Sequence, residues 1–93
     1  MMVGVEMKSE IIGTGLYAPG EPVPNSVFNE RYKIDVDTFL KTKRNIFTRH
    51  FMSQDQTTSD LVVEASRKAL SRAGITAKDL SLIIVATDTP DYV

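Results

Sequence analysis

Thr57-Thr58-Ser59-Asp60-Leu61, Ala73-Gly74-Ile75 and Asp79-Leu80-Ser81-Leu82-Ile83-Ile84-Val85-Ala86-Thr87 decide the fold. The first group opens a helix and the second closes it. Between them Leu61, Val62, Ala65, Ala69, Leu70 and Ala73 recur at helical spacing, with Glu64, Arg67, Lys68, Ser71 and Arg72 on the other side, so the pattern predicts one amphipathic helix over 58–73. Thr57 with Asp60 three residues on resembles a capping box, with Asp in the place usually held by Glu or Gln. Asp60 and Glu64 near the start and Arg72 near the end suit the helix dipole. Glu64 and Lys68 form an i,i+4 pair worth roughly 0.2–0.5 kcal/mol. Gly74 stands where a left-handed C-cap is expected. The third group is an apolar run without alternation, which predicts a strand covered on both faces, as in a parallel α/β sheet.

Working outward, Ile11-Ile12 before Gly13-Thr14-Gly15 reads as a short strand entering a tight turn. Pro19-Gly20, Pro22 and Pro24 predict an irregular loop after it. Asn25 and Ser26 are N-cap types ahead of a short helix over 27–32. Asp35 or Asp37 would cap a second short helix through Thr38-Phe39-Leu40, and Ile46 to Met52 reads as extended. The expected fold class is α/β, with residues 1–93 one segment of a domain. Two strands do not make a sheet, so the missing strands are expected from elsewhere.

At 93 residues a chain buries roughly 60–65% of its unfolded surface, enough for a thin core. The formal net charge of -1 argues against a general nucleic-acid or anionic-membrane binder. No cysteine is present, which excludes a disulfide framework, a Cys-ligated zinc site and a Cys nucleophile within the chain. The N-terminus lacks the apolar stretch of a signal peptide. The longest apolar run, Leu82 to Ala86, is far below the ~20 residues that span a bilayer. The expected location is the cytoplasm.

Gly13-Thr14-Gly15-Leu16-Tyr17-Ala18 fits the dinucleotide pattern G-x-G-x-x-A. That chemistry needs a helix N-terminus directly after the glycines, and Pro19, Gly20, Pro22 and Pro24 argue against one. Close packing is the plainer reading. Lys41-Thr42-Lys43-Arg44-Asn45-Ile46-Phe47-Thr48-Arg49-His50 has several cations and no acid, with Phe39, Phe47 and Phe51 interleaved. It reads either as a phosphate-and-base surface or as a solvated basic face. His50 is the only histidine, and with no cysteine or second histidine a structural role outweighs a metal site. Asp88 and Asp91, flanking Thr89-Pro90, read as turn formers.

Several segments resemble β-ketoacyl-ACP synthase III of the thiolase superfamily. They are Ile11 to Pro19, Asn25, Phe39-Leu40-x-x-Lys43-Arg44-Asn45-Ile46-x-x-Arg49-His50, the helix from Thr57 to Ile75, and Leu82 to Tyr92. The resemblance implies the N-terminal part of a thiolase-like fold. It also implies an acyltransferase of fatty acid or polyketide synthesis, working as a homodimer on acyl-CoA and malonyl-ACP without a further cofactor. In such an enzyme a cysteine takes the acyl group, and histidine and asparagine stabilise the charge of a decarboxylative condensation. None of those three lies in this chain. Phe39 matches a Trp that stacks on the CoA adenine, Lys43 matches an Arg near the CoA phosphates, and Arg44-Asn45 replaces Thr-Gly. The resemblance thus assigns CoA binding to Phe39, Lys43 and Arg44, with CoA or a carrier protein open as the acyl donor. The apolar stripe of the 58–73 helix and the run Leu82 to Val85, which needs cover on both faces, lead to the expectation that the chain does not fold independently, and the resemblance to the expectation that Asp88 to Val93 is poorly ordered in the chain alone. The alternative is a small non-catalytic α/β module that binds a partner or nucleotide through residues 41–50.

Overall fold

The computed structural model describes residues 7–92. Three helices, α1 (Ser26–Tyr32), α2 (Asp37–Arg44) and α3 (Thr58–Ala73), are accompanied by two short strands, β1 (Val23–Pro24) and β2 (Thr48–Arg49). A 3-10 turn covers Ala77–Asp79. β1 and β2 pair antiparallel, Val23 opposite Arg49 and Pro24 opposite Thr48. This is a small mixed arrangement, compatible with part of an α/β domain.

α3 has the bounds its sequence predicts. The Asp60 carboxylate accepts the Thr57 N–H at 2.8 Å, completing a capping box with Asp in the Glu position. Gly74 takes φ 73°, and the Ile75 N–H reaches the Leu70 carbonyl at 3.2 Å, a C-cap that a side chain at Gly74 would strain. The predicted apolar positions, from Leu61 to Ala73, are all half-buried, and Glu64 of the polar side is half-buried with them.

α1 and α2 are stitched end to end. Asn29 Oδ1, on α1, accepts the N–H groups of Val36 and Asp37 at 2.8 and 3.0 Å, two donors that the start of α2 would otherwise leave bare. Asp35 accepts the Thr38 N–H at 3.1 Å and its hydroxyl at 2.7 Å. The Thr38 hydroxyl, followed by its N–H, holds the Asp35 carboxyl below its ordinary range. α2 runs one turn beyond Leu40 because nothing stops it until Asn45, which adopts φ 54° and lets Ile46 bond back to Leu40 at 3.0 Å. The i,i+4 pair Asp37–Lys41 at 3.1 Å lies along it.

Two expectations are corrected. Neither Ile11–Ile12 nor Leu82–Val85 is a strand: neither makes a backbone–backbone hydrogen bond to another described residue. A strand exists only when a neighbouring edge takes up its N–H and C=O groups, and the described residues supply none. The thin core is also missing. No described apolar side chain is buried, and Asn25, 1% exposed, is the most enclosed residue. The radius of gyration is 19.1 Å, against about 12 Å for a compact domain of this length.

Asn25 replaces a core locally. Its Nδ2 donates to the Ile46 carbonyl at 2.8 Å, and its Oδ1 accepts from the Arg49 guanidinium. Arg49 also donates to the Val23 carbonyl at 2.8 Å and lies 4.8 Å from the Phe28 ring centre. One amide and one guanidinium thus join α1, β1 and β2.

Gly13 and Gly15 lie flat on α3. A Cβ at Gly13 would come within 2.5 Å of the Ala69 carbonyl and 2.8 Å of the Ala73 Cβ. One at Gly15 would collide with the Ala65 carbonyl and sit 2.6 Å from the Ala69 nitrogen. The glycine pair serves close packing. No helix start follows it to bind a pyrophosphate, because α1 begins only at Ser26; the dinucleotide reading is excluded.

Candidate functional site

The site proposed from the sequence lies on the second half of α2. Phe39 and Lys43 are four residues apart and therefore share a face, with Arg44 at the last helical position. Phe39 is 50% exposed, and its ring carries the Arg44 guanidinium 5.2 Å from its centre, a cation–π contact. Lys43 and Arg44 are exposed. Phe39 also lines an open apolar groove of about 530 Å³ with Phe28, Tyr32, Val36, Leu40 and Ile46. The three predicted residues are brought together, on a surface rather than in a cleft.

The longer basic segment does not act as a unit. Lys41 is held by Asp37 at 3.1 Å and lies 5.8 Å from the Phe47 ring centre. Arg49 is consumed by Val23, Asn25 and Phe28. His50 Nδ1 sits 3.0 Å from the Pro19 carbonyl and 3.3 Å from that of Gly20, so it carries the proton and pins the Pro19-Gly20 turn. This is the structural role expected of it. The cations facing solvent for a ligand reduce to Lys43 and Arg44, which weakens the reading of residues 41–50 as a broad binding patch. The C-terminal dipole of α2 opposes an anion there, so any phosphate must be held by these side chains and not by backbone.

A second cluster escaped the sequence reading. The Asp91 carboxylate accepts the Ser59 N–H at 3.1 Å and the Ser59 hydroxyl at 2.5 Å. Thr58 Oγ1 donates to the Thr89 carbonyl. Asp91 is therefore a cap on α3 supplied from 32 residues away, and residues 89–91 are docked on the helix start rather than loose; Val93 lies outside the described residues. The Ser59 hydroxyl, then its N–H, lowers the Asp91 carboxyl below its ordinary value. No local pattern reveals such a pair.

Acyl transfer through a covalent thioester needs a thiolate, and the chain has no cysteine. Among the described residues no group of His, Asp or Glu is arranged to hold a metal, and no helix is long and apolar enough to cross a membrane. Phe39 offers an aromatic face and Lys43 and Arg44 offer exposed charge beside it.

No family model matches the chain. Individual proteins do. The chain is 46% identical over 83 residues to the β-ketoacyl-[acyl-carrier-protein] synthase III of Clostridium perfringens strain ATCC 13124. The same identity and length hold for the proteins of that name from strains SM101 and 13. Each match takes in 89% of this chain and 25% of the relative. The chain resembles β-ketoacyl-ACP synthase III, as its motifs indicate, and spans about a quarter of the length of these curated relatives.

Proposed function

We propose that this chain is a binding and scaffolding segment of a synthase III-type condensing enzyme with a thiolase-like fold, serving fatty acid or polyketide synthesis. In that reading an acyl thioester, carried by CoA or a carrier protein, donates its acyl group to a cysteine outside this sequence, and malonyl-ACP is the second substrate. The observation that carries the proposal is the 46% identity along 89% of the chain to proteins named for this activity. The arrangement on α2 supports it. Phe39 offers an aromatic face, Arg44 already stacks on that ring, and Lys43 projects a charge from the same face. An adenine would take the uncovered side of Phe39 while Lys43 and Arg44 meet the phosphates. Lys43 acts as a point charge and gives no bidentate grip.

The test is calorimetric titration of CoA into a chimera in which this segment replaces the matched quarter of the C. perfringens relative. Phe39→Ala is expected to weaken binding by about 1–3 kcal/mol, the range for loss of one base–aromatic stack. Lys43→Ala is expected to cost less and to lose its effect at high salt. Unchanged affinity in both variants overturns the assignment. The 93-residue chain by itself is expected to show no turnover of acyl-CoA with malonyl-ACP; turnover by the pure chain contradicts the proposal outright.

A further inference from the structure

Asn25 is the one buried side chain among the described residues. Both atoms of its amide are used inside the protein, Nδ2 on the Ile46 carbonyl at 2.8 Å and Oδ1 on the Arg49 guanidinium, so it offers nothing to a ligand. Ile46 is the residue whose N–H closes α2 back on Leu40 at 3.0 Å. The Asn25 bond therefore grips α2 at its left-handed exit, where Asn45 takes φ 54°. Arg49 keeps the amide in that orientation, one guanidinium nitrogen on Asn25 and the other on the Val23 carbonyl at 2.8 Å, a fork that a lysine lacks. The start of α2 is held by Asn29, through the Val36 and Asp37 N–H groups. Two asparagines one helical turn apart thus hold α2 at both ends. No described apolar side chain is buried, so these polar bonds do what a packed core does elsewhere and set where α2 lies.

What they hold in place is the face that carries Phe39, Lys43 and Arg44. Arg44 is the last residue of α2, and its guanidinium lies 5.2 Å from the centre of the Phe39 ring. That stack exists only while the final turn is wound, and a helix end whose backbone groups lose their partners frays. We infer that Asn25 is a positioning residue for CoA binding. It never touches the nucleotide, and it fixes the last turn of α2 so that the Phe39 ring and the two cations face the ligand together. The inference rests on the proposed function for the identity of the ligand.

The experiment is a double-mutant cycle read as the CoA dissociation constant of the chimera described above. Asn25→Ala is expected to weaken CoA about tenfold with Phe39 in place and less than about twofold in the Phe39→Ala background, because a contact made through Phe39 is lost only once. Asn25→Asp keeps an oxygen for Arg49 and removes the donor to Ile46, and is expected to match Asn25→Ala. Gly13→Ala crowds the Ala69 carbonyl on α3; it is expected to lower the melting temperature and leave the CoA affinity unchanged. A second readout needs no ligand. In the 93-residue chain the Arg44 Hδ resonances, shifted upfield by the Phe39 ring, are expected to return to their free-chain position in both Asn25 variants. Unchanged affinity in Asn25→Ala or Asn25→Asp, an equal loss in the two backgrounds, an equal loss in Gly13→Ala, or an Arg44 shift that survives both substitutions would each overturn the inference. A loss in Phe39→Ala without one in Asn25→Ala removes this inference alone, and no loss in either removes the CoA assignment with it.

Discussion

Two segments accompany the same helix and are treated differently by it. Residues 13–17 touch α3 through glycines whose missing side chains let backbone meet backbone. They are also tied by polar contacts: Arg72 donates to the Thr14 carbonyl at 3.1 Å, Lys68 to the Leu16 carbonyl at 2.9 Å, and Gln56 to the Tyr17 hydroxyl at 3.1 Å. Residues 82–85 are exposed and make no backbone–backbone hydrogen bond to another described residue, with the chain held by the turn at Ala77–Asp79 before them and by Asp91 after them. The first contact is complete within this chain. The second has the right residues and no neighbour. The contrast shows that the contact of residues 13–17 with α3 is specified locally, whereas residues 82–85 find no backbone partner among the described residues.

The largest expected effect comes from filling the close contact. Gly15→Val places a side chain inside the Ala65 carbonyl; overpacking of this kind costs about 1–3 kcal/mol or more, and residues 13–17 should lift from α3. Loss of the Tyr17–Lys68 proximity, 5.5 Å from ring centre to Nζ, is the readout, by nuclear Overhauser contacts. In contrast Leu82→Ala, at a 75% exposed position, should change the stability of the chain alone by less than about 0.5 kcal/mol. Equal effects of the two substitutions would erase the distinction between the segments.

Next in size is Asn25→Ala. It leaves the Arg49 guanidinium and the Ile46 carbonyl without their buried partner, a loss of about 1–3 kcal/mol. Denaturation followed by the Phe and Tyr signals of the α1–α2 region should register it, with the helical signal of α3 little altered. An equal loss across both regions would mean that the two are not independent.

The smallest effect concerns the anchor at the far end of the second segment. Asp91 is fully exposed and its carboxyl is held below the ordinary value of 3.8. A lowered folded-state value means that the contact contributes fully above the ordinary value and is lost as pH falls through the lowered one. The Ser59 amide resonance should therefore titrate below pH 3.8, and Asp91→Asn should remove that titration. A midpoint at the ordinary value would show that the anchor does not form in solution.

How far the sequence could be read follows from the range of its interactions. α3 was legible to the residue because its signals are local: Thr57 and Asp60 at one end, Gly74 at the other, and an apolar stripe between. The length of α2 was not, since its stop is Asn45 in a left-handed conformation rather than a glycine. Asn25 and Asp91 act on partners 21 to 32 residues away, where no periodicity points. The runs at 11–12 and 82–85, both read as strands, form none among the described residues, because pairing belongs to the neighbour as much as to the run. Of the candidate site, Phe39, Lys43 and Arg44 were found together. Arg49 and His50, similar to them in composition, proved to be internal ties.

The most direct test of the difference between the two segments is amide hydrogen exchange on the 93-residue chain itself. The α3 amides from Leu61 to Leu70 should be the slowest in the molecule, and those of Leu82 to Val85 should exchange at the rate of unstructured chain. Slow exchange at Leu82 to Val85 in a monomer would show that the chain completes its own sheet, and would contradict the account.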